Sequence, residues 1–421
     1  MTKRVITPML QKDYITAVRA QGSYIYDETN KCYLDASSGA ITCSIGHSHP
    51  EMISVIHEQM QKLQFVYRSQ FSSTEAENLA QMLCERSENE VYEHVFFVNS
   101  GTEAIETAMK MALQYWQETG QPKKTFFLSR RISYHGITMG ALSLSGHPLR
   151  RQRFEGLLEK YPLLHADLEA DSLKTHLKEL KKVIESVGSE HIAALVLEPV
   201  VGAAGGAIVP PKKYYKKVAE LCKNYNILFI ADEVMTGLGR TGSWFGLDHW
   251  DTTADIVAVG KSLGAGYAPI AATLCKKEIV ESIKNGSGVV MSGHTYSAHP
   301  LSCKAASTVL SIIENENLLQ RVNLVGDRLK NELMKMKKSI PFIKKVRGKG
   351  LLLGMEFESK QNRIQESVLK NAQENGLLLY PSAGGKYGKE ENSILIAPPF
   401  TITDNEIDEL LEKLYKTLQN L

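Results

Sequence analysis

The residues Asn226 to Ala268 constrain the fold more than any other stretch. Two apolar runs of strand length, Ile227 to Ala231 and Asp255 to Val259, each lead into a group that is costly to bury alone: Asp232 after the first and, past Gly260, Lys261 after the second. In an open α/β sheet the carboxyl ends of the strands face the ligand crevice, so this carboxylate and this amine are expected to converge on one small molecule. Ser262, Gly264 and Gly266 follow the lysine, a flexible run that lets it swing. A desolvated lysine loses its proton and attacks carbonyls, whereas a solvated loop lysine does neither. Which of the two Lys261 is depends on whether the rest of a site accompanies it.

Three further stretches supply candidates. His94 to Val98 reads as a strand feeding Asn99-Ser100-Gly101-Thr102, after which Ala104, Ile105, Ala108, Met109, Ala112, Leu113 and Trp116 recur at helical spacing. Ser100 and Thr102 can cap that helix and Gly101 allows close backbone approach, so its N-terminus is either a plain cap or a phosphate site. The strand-like Thr125 to Leu128 precedes Tyr134 and His135, rings able to lie flat on an aromatic ligand or simply to pack. A buried-strand run, His191 to Leu197, ends in Glu198-Pro199, with the carboxylate either at the crevice or beside a cation.

Taken together and in order, SGTEA (Ser100 to Ala104), YHG (Tyr134 to Gly136), EPVVG (Glu198 to Gly202), IADEVMTGLGRTG (Ile230 to Gly242), GKSLGAGY (Gly260 to Tyr267), GHTYSAHP (Gly293 to Pro300) and RGKGLLLGMEF (Arg347 to Phe357) resemble the class III aminotransferases. The resemblance implies a pyridoxal-5′-phosphate enzyme of fold type I. That fold is α/β: a large domain with a mainly parallel central sheet between helices, and a smaller α/β domain. Carried over position by position, it implies that Lys261 forms the Schiff base and moves the proton. Asp232 pairs with the pyridinium nitrogen, and Ser100, Gly101 and Thr102 hold the phosphate. Tyr134 and His135 lie at the ring, with Val234 on the opposite face from Tyr134 and Glu198 behind the cofactor. Thr295 resembles the threonine that reaches the phosphate from a partner subunit, which implies a homodimer with active sites at the interface.

The same resemblance implies an amine or ω-amino acid donor and a 2-oxo acid acceptor, pyruvate or 2-oxoglutarate, in a ping-pong cycle. Members that pair 2-oxoglutarate with ornithine or γ-aminobutyrate carry a second glutamate five positions after the Glu-Pro glutamate; here that position is Ala203. The chain resembles instead the ω-amino acid:pyruvate branch. In much of that branch an arginine near the C-terminal glycine-rich loop binds the substrate carboxylate. The corresponding stretch, Leu377 to Phe400, has none, leaving Lys386 as the carboxylate candidate, with Gly39 of the N-terminal arm at the substrate entrance. Aminomutase, racemase or decarboxylase chemistry on the same cofactor is the alternative, and a non-catalytic binding protein that kept the fold is another.

The length of 421 residues suits one large domain and one small one. Residues 1–50 are expected to form an N-terminal segment packing with the small domain, 51–315 the large cofactor-binding domain and 316–421 a small C-terminal α/β domain. Within the last, Thr403-Asp404-Asn405-Glu406 reads as a capping box. A net charge of +2 gives no electrostatic case for nucleic acid or an anionic membrane. The basic start of the chain lacks the apolar run of a signal peptide, and six scattered cysteines without a CxxC pair suit a reducing compartment, so a cytoplasmic location is expected. His47 and His49, with no further ligand at metal spacing, are not expected to bind a metal. Arg150, Arg151 and Arg153 read as an interface or surface patch rather than a substrate anchor.

Overall fold

A computed structural model of the chain describes residues 4–358, 363–385, 388 and 390–421. Its centre is a seven-stranded sheet ordered Tyr92–Val98, Ala271–Lys276, Ile256–Val259, Leu228–Asp232, Ile192–Leu197, Phe126–Arg130 and Leu163–Leu164. The last five of these run parallel, and Ala271–Lys276 is antiparallel to both of its neighbours. Continuous apolar runs belong here because both faces of the sheet are buried. Along the Leu228–Asp232 strand, Leu228 and Ile230 enter one core and Phe229 and Ala231 the other. The first core is covered by the helix Gly101–Glu118, whose Ala104, Ile105, Ala108, Met109, Ala112 and Trp116 are buried in it.

Alternation along the strands decides which way the polar groups at their ends point. Side chains change face at each strand residue, so Asp232 falls on the side of the Gly101–Glu118 helix and Glu233 on the opposite side. Glu198, one step past the buried Leu197, shares the face of Asp232 by the same count. Asp232 and Glu198 are thus sorted to one side by a period of two.

The C-terminal part carries a four-stranded antiparallel sheet ordered Ile343–Lys349, Leu352–Phe357, Glu390–Ile396 and Tyr380–Gly384. Helices Leu318–Ser339, Ile364–Glu374 and Asp404–Gln419 bury Val322, Leu329, Val368, Ile407 and Leu410 in one further core. Thr403 and Glu406 form the expected capping box, the threonine hydroxyl accepting from Glu406 N–H and the glutamate from Thr403 N–H. The strand Ile343–Lys349 has no clear local signal, because its lysine-rich start reads as a solvated connection.

The N-terminal ribbon, Tyr24–Asp27 and Cys32–Asp35, gains an unforeseen outer strand, Ala17–Gln21, and pairs in parallel with Leu377–Leu378. Tyr24 Oη donates to Glu409 at 2.7 Å, so this ribbon near the start of the chain is bonded to its last helix. His47 bonds Asp35 at 3.1 Å and His49 bonds Glu316 at 3.4 Å, a carboxylate partner for each.

Candidate active site

The strands Ile192–Leu197, Leu228–Asp232 and Ile256–Val259 end at a cavity of about 230 Å³. Asp232, Glu198, His135 and Lys261 supply its ionisable lining, and Tyr134, Val234 and Met235 its apolar lining. With Gly101 and Thr102 at the start of the Gly101–Glu118 helix, five segments distant in sequence meet at this cavity.

Asp232 is held at both oxygens. Its Oδ2 lies 2.7 Å from His135 Nδ1, and its Oδ1 accepts Val234 N–H at 3.1 Å. His135 Nε2 is 3.2 Å from Ser129 Oγ, and the His135 N–H donates to Ser145 Oγ at 2.8 Å. A carboxylate with two fixed partners cannot rotate away from a ligand, and the second partner sets its orientation. The sequence alone puts His135 beside an aromatic ring; its bond to Asp232 has no sequence signal, since nothing local ties residue 135 to residue 232.

Glu198 lies behind this pair. Its Oε1 accepts Tyr134 N–H at 2.9 Å and its Oε2 accepts Gly202 N–H at 3.1 Å. Burial pushes its carboxyl up to about 6; the neighbouring His135 opposes the rise and the charge of Asp232 adds to it. The Glu198 carbonyl accepts from Arg130 Nη1 at 3.2 Å and from the Tyr215 hydroxyl, which fixes the strand end that carries the carboxylate.

Lys261 is reached through a strained backbone. Its φ is +43°, a left-handed conformation that costs a non-glycine residue roughly 1–2 kcal/mol and that concentrates at functional sites. Burial lowers the pKa of its amine; Asp232 and Glu198 resist that shift, and the positive charge of Arg150 adds to it. The amine is thereby biased toward its neutral, nucleophilic form.

The wall opposite is a helix N-terminus. Ser100 caps the Gly101–Glu118 helix by accepting Glu103 N–H at 3.4 Å, whereas Thr102 sits in the first turn. The Thr102 hydroxyl is 2.8 Å from Thr138 Oγ1 and accepts Ile137 N–H at 3.2 Å. A Cβ on Gly101 would lie 2.5 Å from Val234 Cγ1, and one on Gly136 would lie 2.3 Å from Thr102 Oγ1. Neither position has room for a Cβ, so the helix start packs directly on Val234 and Gly136 directly on Thr102. The first N–H groups of a helix have no intrahelical acceptor and lie at its positive end, the arrangement that receives phosphate.

These residues fit pyridoxal 5′-phosphate: a helix end for the phosphate, a buried carboxylate for a ring nitrogen, and a buried amine for an aldehyde. Two expected site residues lie elsewhere. Thr295 is exposed in the loop before the Pro300–Asn315 helix and does not line the cavity. Gly39 is exposed at φ +63°, its N–H donating to the buried Asp35 at 2.9 Å. Lys386 falls outside the described residues. Ala203, noted in the sequence for the glutamate it replaces, lines the cavity, as do the unassigned Ile137 and Met235.

Comparison with known proteins agrees with this geometry. The model of the family "Aminotransferase class-III" matches residues 7–418. An uncharacterized aminotransferase, YodT of Bacillus subtilis (strain 168), is 48% identical, the match covering 99% of this chain and 98% of that protein. Gamma aminobutyrate transaminase 3, chloroplastic, of Solanum lycopersicum is 34% identical over 96% of this chain and 80% of its own. Among solved structures, an amine transaminase from an uncultivated Pseudomonas species, described as PLP-bound, superposes with a TM-score of 0.93 at 31% identity, covering 100% of this chain and 99% of that one. The chain belongs to the class III aminotransferases and is a pyridoxal-5′-phosphate-dependent transaminase of the α/β fold those enzymes share.

Proposed function

We propose that the chain transfers an amino group from an amine or ω-amino acid to a 2-oxo acid, pyruvate or 2-oxoglutarate, in a ping-pong cycle that passes through Lys261. The observation that carries this reading is the shared cavity of Lys261 and Asp232, the amine biased to neutrality and the carboxylate locked between His135 and Val234. Bound pyridoxal 5′-phosphate supplies an electrophilic aldehyde carbon and a ring that accepts the electron pair of a breaking C–H bond. Lys261 Nζ, buried and biased to its neutral form, would be the group that holds the aldehyde and would serve as the base that carries the proton. Asp232 keeps a proton on the ring nitrogen, and His135 keeps Asp232 aimed.

Glu198 holds the Tyr134 and Gly202 backbones in place. Tyr134 and Val234, both lining the cavity, would pack against the two faces of the ring. Ser100, Gly101 and Thr102 bind the phosphate, joined by Thr295 of the partner subunit in a homodimer, a reading supported by the exposure of the loop that carries it. Gly39 borders the substrate entrance, and Lys386 is kept as a candidate there. The division into 1–50, 51–315 and 316–421 is supported by the pairing of Cys32–Asp35 with Leu377–Leu378. A cytoplasmic location is part of the same reading; among the described residues no helix is long and apolar enough to cross a membrane.

The relatives named as γ-aminobutyrate transaminases put 4-aminobutyrate in the donor panel even though Ala203 replaces the second glutamate. The test is the visible absorbance of the holoprotein before and after amines and ω-amino acids. Bleaching of the cofactor band by a donor, reversed by pyruvate or 2-oxoglutarate, identifies both substrates. A band that forms and resists every donor transfers the case to isomerisation or decarboxylation chemistry.

A further inference from the structure

Left-handed residues cluster on two segments that touch. On the lysine loop Lys261 has φ +43°, Ala265 +47° and Gly266 +84°; on the N-terminal segment Ser38 has φ +46°, Gly39 +63° and Ile41 +61°. Non-glycine residues keep this conformation only where their surroundings over-determine it. Within the loop, the Lys261 carbonyl accepts Gly264 N–H at 3.2 Å and Ala265 N–H at 3.0 Å, and Tyr267 N–H donates to Gly264 O at 2.8 Å. These bonds close a turn, yet they tie the loop only to itself.

Tyr267 carries the connection outward. Its hydroxyl donates to Gly46 O at 3.0 Å and accepts His49 N–H at 2.7 Å. Beside it the missing side chain of Gly266 lets the N-terminal segment approach, since a Cβ there would lie 2.8 Å from Cys43 Sγ. From this contact the bonds run on toward the proposed substrate entrance. His47 N–H donates to Gly22 O at 2.8 Å and Gly22 N–H to His47 O at 2.9 Å; His47 Nε2 lies 3.1 Å from Asp35, which accepts Gly39 N–H at 2.9 Å. One phenol thus joins the loop of Lys261 to the bonded segment that holds Gly39.

We infer that Tyr267 is a positioning residue for Lys261: its bonds to Gly46 and His49 hold the lysine loop in the strained conformation that presents Nζ to the cavity. The inference rests on the transaminase reading and adds to it a residue that acts through the lysine. Tyr267 does not line the cavity, so it reaches a bound molecule only by way of the loop. Both of its partners are backbone groups, which leaves the joint independent of their side-chain rotamers. Burial raises the pKa of the hydroxyl above its ordinary value, so it keeps the proton that it donates to Gly46. With the two bonds gone, the loop is free to relax toward ordinary φ, and the amine loses its fixed place at the reacting atoms.

The test uses holoenzyme of wild type, Tyr267→Phe and Tyr24→Phe. Tyr267→Phe keeps the ring and loses both bonds, whereas Tyr24→Phe frees the N-terminal ribbon from Glu409 without touching the lysine loop. Hydrogen exchange with mass spectrometry reads the peptides covering 44–49 and 261–267. The rate at which saturating donor bleaches the cofactor band, and the donor concentration that gives half that rate, read Lys261. Release of the strain at one left-handed residue predicts a rate lowered about 10-fold in Tyr267→Phe. The half-saturating donor concentration should stay within about twofold, because Tyr267 lies outside the cavity lining. Both peptides should exchange faster in Tyr267→Phe, Tyr24→Phe should bleach like wild type, and in wild type the two peptides should exchange as one cooperative unit. An unchanged bleaching rate in Tyr267→Phe overturns the inference, as does an equal loss in Tyr24→Phe, which would assign the effect to general loosening of the N-terminal segment. Independent exchange of the two peptides in wild type overturns it without any variant. If no donor bleaches the wild type, the transaminase reading fails separately and the exchange measurement still decides on Tyr267.

Discussion

At the floor of the cavity each functional side chain stands at the end of a buried strand or on the loop just after it, and its bonds run to neighbours in the same layer: Asp232 to His135 and Val234, Glu198 to Tyr134 and Gly202. Outside the cavity lining, Gly39 is in the short helix Ser38–Ile41, Arg150 in the short helix Pro148–Arg151 and Thr295 in the loop before the Pro300–Asn315 helix, and Gly39 and Thr295, the residues proposed for the rim, are exposed. Strand ends fix position to a fraction of an ångström because the whole sheet must move for one residue to move. Loops fix it only through the contacts they make. The floor is accordingly suited to chemistry that every substrate shares, and the rim to discrimination among substrates.

Breaking the floor is expected to be catastrophic whatever the donor. In the proposed cycle Lys261→Ala removes both the covalent holder and the proton carrier, so the single-turnover rate with any donor should fall on the order of 10⁵-fold, as for other enzymes that lose a nucleophile acting as part of a unit. A loss confined to some donors would mean that Lys261 belongs with the rim. Asp232→Ala should cost about 10²- to 10³-fold in kcat with KM for pyruvate nearly unchanged, since it removes charge stabilisation at a preorganised site. A KM effect as large as the kcat effect would contradict the division.

The same division governs how far each region is legible in the sequence. Asp232, Glu198 and Lys261 are legible because apolar runs ending in a lone charge leave few other places for it, and Ser100 to Thr102 because a glycine between two hydroxyl residues opens an amphipathic helix. The Asp232–His135 bond is not legible: it spans 97 residues and depends on strand order. Nor can the fates of Arg150, Arg151 and Arg153 be told apart, since three neighbouring arginines look alike until a backbone turn directs one to carbonyls, one to solvent and one to a ring. The strand Ala17–Gln21 and the strand Ile343–Lys349 escape for a related reason: both are edge strands rich in polar residues, which the tertiary fold rather than the local pattern recruits.

Glu233 sharpens the comparison, because it adjoins Asp232 yet faces away from the cavity. Its carboxylate accepts Gly246 N–H at 2.8 Å, Leu247 N–H at 2.9 Å and the Thr236 hydroxyl. Burial still outweighs these donors and pushes it up to about 7 from an ordinary 4.5. The folded state therefore keeps a proton that the unfolded chain has released, and stability from this group is complete at acid pH and falls as pH rises between about 4.5 and about 7. The loss amounts to about 3 kcal/mol. Glu233→Gln, which cannot ionise, should be less stable than wild type at pH 5, and the gap in melting temperature should narrow by pH 8. A constant gap would show that Glu233 holds the same charge in both states.

The smallest effect belongs to the rim. Gly39→Ala places a Cβ at φ +63°, with only Cys43 Sγ near it at 3.9 Å, so the expected cost is strain of about 1 kcal/mol. Melting should fall by about 1–2 °C and KM should change more than kcat. A floor-like collapse of kcat would place Gly39 in the chemistry.

The most direct measurement is borohydride reduction of the holoprotein followed by peptide mass mapping, on wild type and Lys261→Ala side by side. A Schiff base at Lys261 predicts a single reduced cofactor adduct, on that residue, in wild type, its yield reduced by prior addition of an amino donor, and no adduct in the variant. An adduct on another lysine, or one that persists in Lys261→Ala, would contradict it.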